Sequence, residues 1–410
     1  MRPGRSGAGR ALGFRLTLVV AALALLLSPV ASAAPAKGPE GLEARAWIVV
    51  DARSGDVLAS QAAQRRLPIA STTKLMTAYV AMKELGPERM VRAAPYEPIY
   101  GESLMGLQAG ERVSVRDLLY GLMLVSGNDA AHTLAVSAAG SEERFVGEMN
   151  RYAAALGLSN THYANSIGLD QAGNYSTAAD LTTLARRLLR IPAFAKIADT
   201  ESVLLRSLRP PRRIDNSNDL LGLVHWATGV KTGHTFDAGY VLVASGERRG
   251  VSLISVTIGA PSEESRFLEN LELLEYGFSQ YQRRLPIRAG EDLAEPEIRY
   301  SGGRLPLRAE RSLQVGVRQD QRLNLRVRAP QEVEGPIRRG AKLGRATVLV
   351  DGRKVGTVAL RASRAVSEAS FFDRARATVA DNSIPFGIGL FVILIIGVIL
   401  LRRAGRQRQR

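Results

Sequence analysis

A serine followed three residues later by a lysine, Ser71-Thr72-Thr73-Lys74, is the first of three short polar motifs in this 410-residue chain. Ser126-Gly127-Asn128 follows 55 residues on, and Lys231-Thr232-Gly233 another 105 residues on. A free serine hydroxyl is a weak nucleophile and needs a base beside it. If Ser71 opens a helix, positions i and i+3 share a face, so the Lys74 amine can reach the Ser71 hydroxyl. A lysine acts as base only while neutral. Burial and a neighbouring cation both favour the neutral form, and Lys231 is the candidate cation. A helix N-terminus at Ser71 would also favour developing negative charge. Lys231 and Thr232 supply a cation and a hydroxyl suited to a carboxylate. Gly233 would let a substrate backbone approach a strand edge, where an extended peptide can add itself to the sheet. Each motif alone is a common coincidence, and Ser-Gly-Asn-Asp is also ordinary helix-capping sequence. All three in this order describe one serine acyl-transfer site.

Other chemistries find little support. There is no cysteine, hence no disulfide, thiolate metal site or cysteine nucleophile. His132, His162 and His225 lack metal-ligand spacing, and no glycine loop of the phosphate-cradling kind is present. No cofactor and no metal are expected. The net charge of +16 is concentrated at the ends: four arginines lie in the first 34 residues and five in the last nine, leaving +7 between them. That remainder could attract anionic wall polymers or lipid head groups. The basic residues are dispersed and no recognition motif stands out, so nucleic acid is not an expected partner.

The elements that must position these residues are legible in outline. Ala46 to Val50 and Val57 to Ala59 form a hairpin around Asp51–Asp56. Helices are expected over Thr73–Leu85, Val115–Met123, Ala130–Ala138, Phe145–Leu156, Ala178–Leu189 (capped by Ser176) and Ser265–Tyr281. Strands Gly239–Ala244 and Val251–Ile258 flank a turn at Gly246–Gly250, with Lys231 on the strand before them. After about Arg284 short alternating runs take over, such as Leu313–Val317, Leu323–Val327 and a hairpin around Asp351-Gly352. Arg2, Arg5, Arg10 and Arg15 precede an apolar run from Leu16 to Leu27 and small residues at Ala31-Ser32-Ala33, the pattern of a leader cut after Ala33 or Ala34. Ile384–Leu401 is an uncharged stretch of 18 residues followed by five arginines, long enough to span a bilayer with its tail inside.

S-x-x-K, S-D-N and K-T-G in order mark penicillin-binding proteins and class A β-lactamases. The segments Pro68–Thr77, Leu118–Ala131 and Lys231–Thr235 with Ala238-Gly239 resemble the D-alanyl-D-alanine carboxypeptidases, the low-molecular-mass penicillin-binding proteins of the S11 serine peptidase family. The run from Met149 through Leu156-Gly157, Asn165, Gly168-Leu169, Tyr175 and Thr177-Ala178 to Asp180-Leu181 fits them too. The resemblance covers roughly Ala44 to Tyr281. It implies an α/β (α+β) transpeptidase/β-lactamase-like catalytic domain with helices on an antiparallel sheet, then a small all-β domain and a C-terminal transmembrane helix. The expected organisation is leader 1–34, catalytic domain 35–284, β-sandwich 285–366, linker 367–383, membrane helix 384–401 and basic cytoplasmic tail 402–410, with the catalytic domain outside the cytoplasm. Many relatives instead end in an amphipathic helix lying on the membrane.

The resemblance further implies removal of the terminal D-alanine from peptidoglycan stem peptides, with β-lactams as trapping mimics. By it, Ser71 is the acyl-ester nucleophile, Lys74 its base and Ser126 the proton relay to the leaving amine. Asn128 holds Lys74 and the substrate amide. Lys231, Thr232, Gly233 and His234 bind substrate, with the backbone N–H groups of Ser71 and His234 as oxyanion hole. The His234 side chain has two open roles, assisting deacylation or shaping the pocket. Arg212 or Arg213 is either an extra carboxylate contact or a surface residue. Alternatives on the same scaffold are an endopeptidase, a transpeptidase, or a non-catalytic sensor of wall polymer. A β-lactamase is disfavoured: no E-x-x-L-N-like segment lies between the second and third motifs, and Gly127 replaces the Asp of S-D-N.

Overall fold

The computed structural model describes residues 38–374 and 394–398. Its centre is a five-stranded antiparallel sheet in the order β2-β1-β9-β8-β7. The strands are β1 (Ala46–Asp51), β2 (Val57–Gln61), β7 (Ala227–Thr235), β8 (Gly239–Arg248) and β9 (Val251–Ala260). Between β2 and β7 come α1 (Lys74–Glu84), the small hairpin β3 (Met90–Arg92) and β4 (Arg112–Ser114), and helices α2 (Val115–Met123), α3 (Asn128–Ala139), α4 (Glu142–Ala155), α5 (Ala178–Leu189) and α6 (Pro192–Ala198). A second hairpin, β5 (Ser202–Leu205) and β6 (Arg212–Asp215), and the short α7 (Leu220–Leu223) complete the insertion. Helix α8 (Glu263–Ser279) follows β9.

Successive side chains of a strand point to opposite faces, and β1 shows the result. Ile48 and Val50 join one core with residues of α1 to α5. Trp47 and Val49 join another with Leu273 and Leu274 of α8. A strand buried on both faces reads as a continuous apolar run, which is why Ala46–Val50 does not alternate. The helices expected over 115–123 and 178–189 fall at those bounds. The cap of α5 is Thr177, whose side chain accepts from Asp180 N, and not Ser176, whose hydroxyl is hydrogen-bonded to Thr161 at 2.7 Å. The expected turn at Gly246–Gly250 is shorter: β8 continues to Arg248, and only Arg249 (φ 53°) and Gly250 (φ 80°) form the loop. Positive φ at both central residues matches the twist of the flanking strands.

Residues 281–362 are all β: β10 (Tyr281–Ile287), β11 (Asp292–Ala294), β12 (Glu297–Ile298), β13 (Gly303–Arg304), β14 (Leu307–Ala309), β15 (Leu313–Arg318), β16 (Leu323–Arg328), β17 (Glu332–Val333), β18 (Lys342–Val350) and β19 (Arg353–Ala362). A five-stranded sheet β11-β14-β19-β18-β16, a three-stranded sheet β13-β12-β17 and the pair β10-β15 share a separate core around Leu307, Val348 and Leu360. The hairpin at Asp351-Gly352 is present, whereas β15 pairs with β10 and lies in a different sheet from β16. The two cores meet through Tyr281, whose hydroxyl donates to Asp51 Oδ2 at 2.6 Å, and Arg318, which donates to Asp56 at 3.2 Å. A cavity of about 410 Å³ lies at this seam, lined by Asp56, Arg353 and Gln314 among others, and contains no motif residue.

The expected leader 1–34 lies outside the described residues. So does the expected transmembrane helix 384–401, apart from 394–398, which are helical. Among the described residues no helix is long and apolar enough to cross a membrane.

Leu274 is fully buried on the face of the sheet away from the three motifs. Leu274→Ala is expected to lower unfolding free energy by about 2–5 kcal/mol, read by denaturant titration.

Candidate active site

The first motif sits where the chain turns from a loop into α1. Ala70–Thr73 is a 3-10 turn, with Ala70 at φ 47° and the Thr72 hydroxyl donating to Ile69 O at 2.6 Å. Lys74 is the first residue of α1. In a 3-10 turn side chains at i and i+3 eclipse, closer than in an α-helix, so Ser71 and Lys74 are brought together. Lys74 Nζ donates to Ser71 Oγ at 3.0 Å, to Asn128 Oδ1 at 2.6 Å and to Ile167 O at 2.6 Å. These contacts define how the amine can work. An ammonium has three hydrogens and no lone pair. Two of the three acceptors, an amide oxygen and a backbone carbonyl, can never donate in return. After deprotonation the two remaining hydrogens stay on Asn128 and Ile167, and the lone pair faces the Ser71 hydroxyl. Lys74 is fully buried, and its pKa is held well below the ordinary lysine value, first by burial and then by the nearby Lys231, against the opposing charges of Glu102 and Asp129.

The second motif lies between α2 and α3. Ser126 takes φ 58°, and its hydroxyl is buried with no hydrogen-bond partner among the described residues. The N-cap of α3 is Gly127, with no side-chain cap, so the capping reading does not describe this segment. Asn128 reaches Lys74 through its oxygen, while its Nδ2 donates to Glu102 Oε2 at 2.8 Å. The next residue, Asp129, accepts from the backbone N–H groups of Met105, Gly106 and Leu107, each at 2.8 Å.

The third motif lies on β7, an edge strand of the central sheet. Lys231 is buried, donates to Thr232 O at 2.9 Å, and has its pKa lowered to about 7 by burial and then by Arg266. The Thr232 hydroxyl is 3.2 Å from Ser217 Oγ. At Gly233 a Cβ would lie 3.0 Å from Ser71 N and 3.1 Å from Ala70 Cβ, because β7 packs directly on the nucleophile turn. His234 is exposed, its ring stacked on Tyr240 with centroids 4.1 Å apart. Arg212 is taken up by Glu111, with contacts at 2.7 and 2.8 Å, and by Met105 O. Arg213 is exposed and contacts Ser202 and Asp215.

Several neighbours escaped the motifs. Ile167 contributes only its carbonyl, which no side-chain pattern can announce. Gly168 also packs against the nucleophile turn: it takes φ 91°, and a Cβ would fall 2.1 Å from Ala70 O and 2.9 Å from Ser71 N. Its N–H donates to Asn165 Oδ1 at 2.6 Å, so the Asn165–Leu169 run is a turn built to deliver Ile167 O and Gly168 to Ser71. Glu102 and Asp129 carry the charges that oppose Lys231 at Lys74.

Residues 31–262 match the family model described as D-alanyl-D-alanine carboxypeptidase, and residues 281–368 match the C-terminal domain of penicillin-binding protein 5. The chain is 33% identical over 376 residues to D-alanyl-D-alanine carboxypeptidase DacC of Escherichia coli, covering 86% of this chain and 92% of that protein. Among solved structures, penicillin binding protein 5 of Haemophilus influenzae aligns with a TM-score of 0.56 at 28% identity, covering 80% of this chain and 99% of that one. A mutant DD-transpeptidase of Streptomyces aligns with a TM-score of 0.56 at 31% identity, covering 59% of this chain and all (100%) of that one. This chain belongs to the D-alanyl-D-alanine carboxypeptidase family of serine peptidases. It pairs that family's α/β catalytic domain with a C-terminal β domain.

Gly168→Ala would drive a methyl group into the carbonyl that precedes Ser71. Displacing a nucleophile by about 1 Å typically costs about 100-fold in rate. Labelling of Gly168→Ala by a fluorescent penicillin is therefore expected to slow by about that factor, with the thermal midpoint as control for folding.

Proposed function

We propose that this protein is a serine-type DD-carboxypeptidase that removes the terminal D-alanine from peptidoglycan stem pentapeptides through an acyl-enzyme on Ser71. The observation that carries the reading is the amine of Lys74, buried and 3.0 Å from Ser71 Oγ, with its two other hydrogen bonds taken by acceptors. Ser71 attacks the carbonyl of the penultimate D-alanine, and its proton passes to neutral Lys74. The backbone N–H groups of Ser71 and His234 receive the oxyanion, each such donor being worth about 2.7–4 kcal/mol in transition-state stabilisation. The Ser126 hydroxyl, free of internal partners among the described residues, hands a proton to the departing D-alanine amine. Lys231 and Thr232 take the terminal carboxylate, and β7 offers its open edge to the peptide backbone. Water then releases the acyl group. β-Lactams occupy the same site and acylate Ser71.

We also propose a location for this activity, supported by the residue patterns of 1–34 and 384–410. In our reading a leader over 1–34 exports the chain, the catalytic and β domains (35–284 and 285–366) lie outside, and the apolar stretch 384–401 holds them at the membrane with the arginines inside.

Ser71→Ala is expected to abolish D-alanine release from a stem pentapeptide and labelling by fluorescent penicillin. Retained labelling of the native protein without D-alanine release would favour the endopeptidase, transpeptidase or sensor reading. The two lysines set opposite limbs of the pH profile. Lys74 must be neutral, so kcat/KM rises with pH through its lowered pKa. Lys231 must be charged to bind a carboxylate, so KM rises as the pH passes about 7. Arginine does not deprotonate, so the KM of Lys231→Arg should stay flat up to about pH 9.

A further inference from the structure

We infer that Glu102 is a positioning residue of the acylation step, holding the Asn128 amide in the one orientation that presents its oxygen to Lys74. The inference rests on the reading of Lys74 as the base for Ser71.

Glu102 sits on the segment between β3 and β4, far in sequence from every motif. That segment is tied onto the start of α3 by its backbone. Asn128 N donates to Ser103 O at 2.8 Å, and Asp129 gathers the N–H groups of Met105, Gly106 and Leu107. Arg212, paired with Glu111, donates to Met105 O from the other side. The tethered segment delivers Glu102 to Asn128 with little freedom. Its Oε2 accepts from Asn128 Nδ2 at 2.8 Å and from the Tyr96 hydroxyl, while Oε1 accepts from Ile99 N at 3.3 Å. The Tyr96 ring in turn lies 5.6 Å from that of His132, which is paired with Glu142 at 3.3 Å.

A carboxamide has nearly the same shape with its oxygen and nitrogen exchanged, so only its partners decide which end faces which way. Reversed, Asn128 would aim its NH₂ group at the Lys74 ammonium and its oxygen at a carboxylate. Both contacts would be repulsive while Lys74 is charged, and the second would stay so when it is neutral. Glu102 therefore fixes Asn128 Oδ1 on Lys74 even when Lys74 is neutral and pulls less strongly on the amide. Without that fixed acceptor, the neutral amine could turn its lone pair toward the Asn128 N–H and away from Ser71, the unproductive arrangement. The charged groups acting on Lys74 are Lys231 from β7, Asp129 from α3 and Glu102 from this segment. Removing the Glu102 charge leaves Lys231 opposed by Asp129 alone, which makes Lys74 lose its proton more readily.

The inference predicts two effects of opposite sign. In Glu102→Gln the limiting rate of acylation should fall by about tenfold through loss of orientation. At the same time the acid limb of its pH profile should move to lower pH through loss of the charge. Glu102→Asp keeps the charge, so its acid limb should stay near that of the native protein, with a partial loss of rate. The measurement is the second-order rate of labelling of the full-length protein by a fluorescent penicillin across pH, with circular dichroism as the fold control. A slower Glu102→Gln whose acid limb coincides with the native one would overturn the inference, as would an unchanged limiting rate. The native protein and Ser71→Ala run beside it separate this failure from failure of the underlying reading. If the native rate shows no acid limb, Lys74 is not the base.

Discussion

The site depends on an ammonium group kept out of water with no carboxylate among the described residues in direct contact with it. Lys74 meets only neutral oxygens, from Ser71, Asn128 and Ile167, while Glu102 and Asp129 act from farther away. A directly paired carboxylate would hold the proton in place, and full exposure would let water do the same. Burial beside a second lysine does the reverse. This explains the number of buried polar groups at the junction of α1, α3 and β7, including Asn128, Asp129, Lys231 and Thr232. Asp129 and Lys231 are tied to backbone, Asn128 and Thr232 to other side chains.

The sequence made the reactive groups legible because their chemistry is carried by side-chain type. Ser71, Lys74, Asn128 and Lys231 come together around one junction because α1, α3 and β7 converge there. The central strands were equally visible, since a buried run such as Ala46–Val50 leaves few other readings. What the sequence withheld is of a different kind. The carbonyl of Ile167 has no side-chain signature. Ser176 and Thr177 are both competent caps, and only the entry angle of the chain selects Thr177. The hairpins over 90–114 and 202–215 are strands of three or four residues, too short for their alternation to be read. Glu102 lies 26 residues from Asn128 with no periodic relation to it. The partner of β15 was also hidden, because Leu313–Arg318 alternates as well against one neighbour as another.

Placement along the sheet separates the two halves of the molecule. The third motif falls near the end of β7 that pairs with the start of β8, whereas the β domain attaches at the other end. There β9 begins, and Val251, Asp51 and Tyr281 line one cavity. Strand β8 has 10 residues, so the two ends lie about 30 Å apart at the rise of an antiparallel strand. The seam is held by a few polar contacts, Tyr281 to Asp51 and Arg318 to Asp56. The catalytic machinery takes none of its residues from the β domain.

The nucleophile turn is approached closely by two glycine backbones: a Cβ at Gly168 would fall 2.1 Å from Ala70 O, which leaves no space for a methyl group, and one at Gly233 would lie 3.0 Å from Ser71 N, which fits only if the turn gives by a few tenths of an ångström. Adding bulk beside the attacked carbonyl is a direct way for an enzyme to exclude a rigid drug while still admitting a flexible substrate. At Gly168 that way is closed, because a methyl group there displaces the carbonyl that precedes Ser71 and so disturbs the natural reaction along with the unwanted one.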